Sequence, residues 1–341
     1  MKAFCSLEKQ KAHTPDFFLV NGAVKKCPEK PERLDVLRAS SVSSGLELVE
    51  PQEHGLAPLA AIHTPEYLKF LSNIHERWVR MDGASQEVIP GVQPNRNDFS
   101  YPESAVGQAG YHMADTACPI NANTWSAALA SADCAISAAH DVLAGASSAY
   151  ALCRPPGHHA YTDMAGGFCY INNSAVAAQI LRRDHERVVI VDVDLHHGNG
   201  TQGIFYNRDD VMTVSIHADP INFYPFFWGH ASERGEGPGL GYNYNLPLER
   251  GSGDGAFLAA LEKAMERITY FAPTAIVVAL GLDAFEGDPF GGLSVTTSGF
   301  GQIGKLLSQA GLPTVIVQEG GYLCDALGDN LASFMGGFGV Q

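Results

Sequence analysis

The segment Val188-Val-Ile-Val-Asp-Val-Asp-Leu-His-His-Gly-Asn-Gly200 runs from an apolar stretch straight into three polar residues spaced by two, Asp192, Asp194 and His196. A near-continuous run of β-branched residues is the habit of a strand buried on both faces in a parallel sheet. If the backbone stays extended, the period of two puts Asp192, Asp194 and His196 on one face. Three ionisable groups on one side of a buried strand are costly unless a cation or mutual pairing compensates them. A single Asp there would be read as a loop cap; the three together point to a metal. They also fall at the strand's carboxyl end, where open parallel sheets bind their ligands.

Outward from this segment, further apolar runs at 149–153, 187–193, 211–217, 274–280 and 314–318 alternate with helical patterns at 126–143, 172–183, 256–271 and 297–310. Alternation of this kind predicts an α/β fold: a central, mostly parallel β-sheet flanked by helices on both faces, with the active site at the carboxyl ends of the strands. Residues 79–124 are rich in Pro, Asn, Gly and Ser and weakly periodic, so they read as a loop insertion outside the core. Residues 222–241 mix aromatics with Gly and Pro, as a surface loop lining something would. The Gly-rich stretch 235–241 has no strand before it and no helix after it, and is an ordinary loop.

The apolar run at 274–280 also ends in a carboxylate, Asp283. Asp194, His196 and Asp283 make a mixed nitrogen and oxygen set with room for water. This suits catalytic zinc, and the ligand types also accept iron, cobalt or manganese. Arg154-Pro-Pro-Gly-His-His-Ala160 follows the strand at 149–153 and delivers His158 and His159 to the same sheet edge. A metal held by two carboxylates acidifies water less than a three-histidine site, so a separate general base is useful. The last strand runs into Gln318-Glu-Gly-Gly-Tyr322, which offers a phenol at a fourth strand end, a reasonable oxyanion donor.

Composition narrows the classes. The 341 residues are 45% hydrophobic and 17% charged, enough apolar material for one large folded domain and too little charge for disorder. A formal net charge of −15 disfavours a phosphate-backbone partner, so no nucleic acid is expected, and it favours cationic ligands. The seven cysteines form no CxxC pair and no disulfide framework, and the amino-terminal residues hold no signal-type apolar core, so a cytoplasmic protein without a membrane partner is expected.

Together, RPPGHHA (154–160), GGFCYINNSAVAA (166–178), VDVDLHHGNGTQ (191–202), VSIHADP (214–220), LGLDAFEGDP (280–289) and QEGGY (318–322) resemble the histone deacetylase and acetylpolyamine amidohydrolase family, in its class II and bacterial branch. Weaker matches at PEKPERL (28–34), IHTPEYLKFL (62–71) and NYNLPL (243–248) extend the similarity over nearly the whole chain. The resemblance implies the arginase/deacetylase-like fold over 1–341 as a single zinc deacetylase-like domain, with an insertion at about 79–124 used in homodimerisation. It implies zinc on Asp194, His196 and Asp283, His159 as general base and then acid, and His158 as its electrostatic neighbour. Asp192 is expected to bond His158, Asn199 to orient His159, and Tyr322 to donate to the oxyanion. A structural potassium on Asp192, Asp194, His196, Ser215 and Ile216 is implied too, and Phe168, Tyr224 and Phe290 match the walls of the substrate tunnel.

An insertion of this kind resembles the segment with which acetylpolyamine amidohydrolases constrict the tunnel mouth, so the resemblance favours a small cationic acetylated amine as substrate. Where polyamine-specific members carry acids for the distal ammonium, this chain has Phe18, Val106 and Ala117; Asp16, Asp98, Glu103 and Asp115 lie nearby in sequence. Three other readings compete. A protein acetyl-lysine deacetylase would share every motif. An arginase-like dinuclear manganese enzyme needs a carboxylate two residues after Asp283, where Phe285 stands. A non-catalytic binding module on this fold has to explain why every catalytic position is filled.

Overall fold

The computed structural model describes residues 1–94 and 100–340. Ten strands occur in chain order: β1 (Lys2–Phe4), β2 (Phe17–Val20), β3 (Ala23–Lys26), β4 (Glu47–Val49), β5 (Ser148–Ala151), β6 (Val188–Asp192), β7 (Val211–Ala218), β8 (Asn243–Leu248), β9 (Ala275–Leu280) and β10 (Thr314–Gln318). Eight of them form one sheet in the order β4-β1-β5-β10-β9-β6-β7-β8, and β2 and β3 make a separate hairpin. Every pairing in the large sheet is parallel. The sheet predicted from the central apolar runs is present and extends on both sides through short strands the periodicity did not announce.

The side-chain alternation of the strands divides the core in two. In β6, Val188 and Ile190 face the layer built by helices Pro65–Trp78, Thr124–Leu143 and Asn173–Leu181. Val189 and Val191 face the layer of Glu32–Ser43, Asp254–Phe271, Thr297–Ser308 and Leu327–Phe338. Local chemistry starts several of these helices. The Asn172 side chain accepts from the Ala175 amide, the Thr64 hydroxyl from Tyr67, with Pro65 in the first turn, and the Thr296 hydroxyl from Gly299.

Two sequence readings are corrected. The 79–124 segment is not a loop outside the core: it carries a helix, Ala105–His112, and an antiparallel bridge from Val88 to Ile120, and Val88, Met113, Cys118 and Ile120 are buried in the same cluster as the central helices. Its Pro and Gly content hid this, because it packs through isolated side chains and not through a regular face. The second correction concerns β6, which ends at Asp192. Asp194 and His196 therefore lie on the loop beyond, and the period of two does not govern them.

Candidate active site

The four central strands β5, β10, β9 and β6 are consecutive neighbours. Loops leaving their carboxyl ends therefore meet over one short arc of the sheet. From β6 come Asp194 and His196, from β9 Asp283, from β5 His158 and His159, and from β10 Glu319 and Tyr322.

Asp194, His196 and Asp283 are buried and bring one ligand atom each within 4.8 Å of one another. His196 Nδ1 stands 3.3 Å from Asp194 Oδ1 and 3.1 Å from Asp283 Oδ2. Backbone amides fix the carboxylates: His196 N–H and Gly320 N–H donate to Asp194, and Leu195 N–H donates to Asp283. Glycine is required beside them. A Cβ on Gly320 would come within 2.4 Å of Asp283 Oδ2 and 2.5 Å of Asp194 Oδ2, and one on Gly281 within 2.1 Å of Asp194 Oδ2. Two buried carboxylates facing one imidazole are a donor set that a divalent cation fits, and glycine keeps open the space it needs.

Among the described residues, a second convergence, of His158, Cys169 and Glu319, does not read as a metal site. Glu319 Oε2 already accepts from the Gly157 and His158 amides at 2.6 and 3.0 Å, and its Oε1 from the Ser174 hydroxyl at 2.7 Å. With both oxygens engaged, Glu319 anchors the histidine loop to β10 and to the helix Asn173–Leu181.

The two histidines differ in environment. His158 Nδ1 lies 2.9 Å from Asp192 Oδ2, and its Nε2 lies 3.8 Å from Asp194 Oδ1. Counting only the chain's own groups, burial works against its cation, but Asp194 and Asp192 outweigh this and raise its pKa to about 10. His159, with its ring centroid 4.0 Å away, is pushed well below the ordinary value, by burial first and then by the charges of His158 and His196. Its Nδ1 is 2.6 Å from Asn199 Oδ1, an acceptor, so Nδ1 carries the proton and Nε2 is the nitrogen left to take one. Asn199 is itself held by Tyr161, to whose hydroxyl its amide donates. Among these groups alone, positive charge is favoured on His158 and disfavoured on His159.

Tyr322 is buried, and its backbone N–H donates to Asp288 Oδ2 at 2.9 Å. Arg33 lies over its ring, with Cζ 4.8 Å from the centroid, and Glu29 pairs with both Arg33 and Arg154 at 2.8 Å. The three aromatic residues expected to wall a substrate tunnel also gather. Phe290 meets Tyr322 at 4.6 Å, Phe168 meets Tyr322 at 6.0 Å, and the Tyr224 ring stands edge-on to His159 at 4.9 Å. Phe18 packs on Phe168 at 5.5 Å with Ala117 beside them, so two of the three positions that lack acids join one apolar cluster. Of the four acids nearby in sequence, Asp16 and Glu103 are exposed, and Asp98 lies outside the described residues. Asp115 accepts from the Tyr224 hydroxyl and from backbone amides.

Ser215 is the register partner of Asp192 in the β6–β7 ladder and hydrogen-bonds His217. Sequence reasoning missed Glu319, Asp288, Glu29 and Arg33 as supports of the site. Each lay inside a quoted motif, so the signal was present; what the sequence does not show is their partners: backbone amides and Ser174 for Glu319, backbone amides for Asp288, Arg33 and Arg154 for Glu29, and the Glu319 and Gly321 carbonyls for Arg33.

Among the described residues, no helix is long and apolar enough to cross a membrane. Residues 27–338 match the histone deacetylase domain. The chain is 47% identical over 335 residues to an acetylpolyamine amidohydrolase of Burkholderia pseudomallei, covering 97% of each chain. It is 43% identical to acetylpolyamine amidohydrolase 1 of Pseudomonas aeruginosa, covering 94% of each. A crystal structure of the acetylpolyamine aminohydrolase from Burkholderia pseudomallei superposes with a TM-score of 0.96 at 46% identity, over 99% of this chain and 98% of that one.

Proposed function

This chain belongs to the histone deacetylase family, and from that membership we propose that it hydrolyses the amide of a small acetylated amine, an acetylpolyamine first of all, to acetate and the free amine. The observation that carries the reading is the convergence of Asp194, His196 and Asp283 within 4.8 Å beside the adjacent imidazoles of His158 and His159, whose ring centroids are 4.0 Å apart. Relatives at 41–47% identity over nearly the full length bear names of acetylpolyamine amidohydrolases. The apolar surface of Phe168, Phe290 and Tyr224 suits a thin methylene chain, and the net charge of −15 favours a cationic substrate.

Zinc is the ion proposed for Asp194, His196 and Asp283, and when bound it supplies Lewis-acid polarisation of the acetyl carbonyl and a more acidic water. His159 Nε2 takes the proton of the attacking water, and Asn199 keeps the imidazole in the tautomer that can accept it. His158, bonded to Asp192, is the electrostatic neighbour of His159 and faces the place where negative charge develops on the former carbonyl oxygen. The Tyr322 hydroxyl donates to that oxygen, and burial keeps the phenol protonated by raising its pKa well above the ordinary value. Collapse of the tetrahedral species breaks the C–N bond as His159 returns its proton to the leaving nitrogen.

A structural potassium on Asp192, Asp194, His196, Ser215 and Ile216 belongs to the same proposal, supported by the Asp192–Ser215 register. So do a homodimer and a cytoplasmic setting. Val92, Tyr101 and Val106 leave apolar side chains exposed on the insertion, and all seven cysteines are free. The test of substrate class is a turnover panel of monoacetylated diamines, acetylated polyamines and acetyl-lysine peptides. The proposal expects acetylated polyamines to have the highest kcat/KM; a preference for acetyl-lysine peptides would replace it with protein deacetylation, and turnover of none would remove it.

A further inference from the structure

The insertion reaches into the active site through Asp115, whose carboxylate gathers donors from three places. Oδ2 accepts from the Tyr224 hydroxyl at 2.7 Å and from the Gly167 amide at 3.2 Å, and Oδ1 accepts from the Ala117 amide at 2.8 Å. Tyr224 comes from the aromatic loop after β7, and Gly167 from the turn after the histidine loop. That turn is unusual. Gly167 has φ +50° and Phe168 φ +66°, a left-handed conformation that a bulky residue adopts only when its surroundings impose it. A Cβ on Gly167 would come within 2.4 Å of His159 Cδ2 and 2.8 Å of the Tyr224 hydroxyl, so turn, histidine and phenol are packed without slack.

We propose that Asp115 is a positioning residue that sets the width of the substrate passage, tying the Tyr224 wall and the Gly167–Phe168 turn to one carboxylate. The inference rests on the hydrolase reading above for the identity of the passage. Turning the Tyr224 hydroxyl onto Asp115 leaves its ring standing against His159, and fixing the Gly167 amide holds Phe168 against Tyr322 and Phe290. Both Asp115 oxygens are committed to the protein's own donors, so this acid shapes the passage and does not receive a distal ammonium. The consequence is selectivity by shape: a straight methylene chain passes, and a chain with a branch near the amide is rejected.

The test compares Asp115→Ala, Asp115→Asn and Tyr224→Phe, each checked for an intact thermal transition, on a monoacetylated straight diamine and on its isomer with a methyl branch beside the amide nitrogen. Asp115→Ala is expected to lose about tenfold of the straight-over-branched preference in kcat/KM, chiefly through KM, because one methyl group is discriminated on that scale. With Oδ1 kept, Asn accepts from the Ala117 amide and, at the longer 3.5 Å contact, from Gly167, while its Nδ2 donates to a reversed Tyr224 hydroxyl, so Asp115→Asn is expected to keep the preference within about threefold. Tyr224→Phe frees one wall and leaves the turn anchored, so its loss falls between the two and keeps the idea testable if Asp115→Ala does not fold. A crystal structure of Asp115→Ala, or of Tyr224→Phe in that event, should show ring 224 turned from its place beside His159. An unchanged preference together with an unmoved ring would overturn the proposal. If the wild-type protein hydrolyses neither amide, the function reading fails, while the coordinates of the variant still decide the role of Asp115.

Discussion

At the carboxyl edge of β5, β10, β9 and β6, the loops that carry the functional side chains leave strands held by a hydrogen-bonded ladder whose register leaves the backbone little freedom. The 79–124 insertion has no such ladder among its described residues beyond two isolated bridges, Val88 to Ile120 and Met113 to Ala165, yet Val88, Met113, Cys118 and Ile120 are as buried as β6 itself, and Asp115 touches the site. Regular pairing and irregular packing thus reach the same degree of order by different means. In the sheet, backbone amides bond backbone carbonyls; in the insertion, side chains such as Asp115 and Gln93 take up the backbone donors and acceptors.

The sharpest contrast is expected within the sheet edge itself. His159→Ala should lower kcat by about 10²–10⁴ with metal content unchanged, as for removal of a general base, whereas Tyr322→Phe, which removes one oxyanion donor, should lower it by about tenfold or more. Steady-state turnover with metal analysis on the same samples checks both; wild-type turnover in either variant would remove that residue from its role.

Next in size is a stability comparison across the two regions. Ile120→Ala in the insertion and Ile190→Ala in β6 delete the same volume from buried sites, and each should destabilise by about 2–4 kcal/mol in urea titrations. Val106→Ala, on an exposed side chain of the insertion helix, should stay within about 0.5 kcal/mol. If Ile120→Ala behaves like Val106→Ala, the insertion is not core and the comparison collapses.

The smallest effect is on pH dependence. His63 is buried, with Nδ1 donating to the Thr162 carbonyl and Nε2 accepting from the Asn172 amide, and burial lowers its pKa to about 4. The unfolded chain takes up a proton near 6.5 and the folded chain only near 4, so stability falls as pH drops from about 6.5 to about 4, by at most about 3 kcal/mol for this group. Gln can copy both bonds without titrating, so His63→Gln should flatten the urea midpoint against pH in that window. An equally steep curve would assign the acid sensitivity to other groups, His13 and His217 first, which burial also lowers to about 4.

The sheet was readable because its strands are buried on both faces and leave unbroken apolar runs, as at Val188–Asp192 and Ala275–Leu280. The candidate ligands were readable because an acid ending such a run is anomalous. Short strands such as Lys2–Phe4 and Glu47–Val49 carry too few residues to show a period, and β8 interleaves Asn243 and Asn245 that bond Gln202 and Glu233. Asp115 was readable as an acid near the site, and its partners were not, because a tyrosine hydroxyl 109 residues away leaves no local pattern.

The account depends on a single metal ion held by residues from two loops, so the most direct measurement is metal content and deacetylation assayed on one preparation of wild type and of Asp283→Ala. The wild type should hold one zinc per chain and hydrolyse an acetylated diamine, and Asp283→Ala should lose both. Equal zinc content in the two proteins, or two zinc ions per chain in the wild type, would contradict the three-residue site.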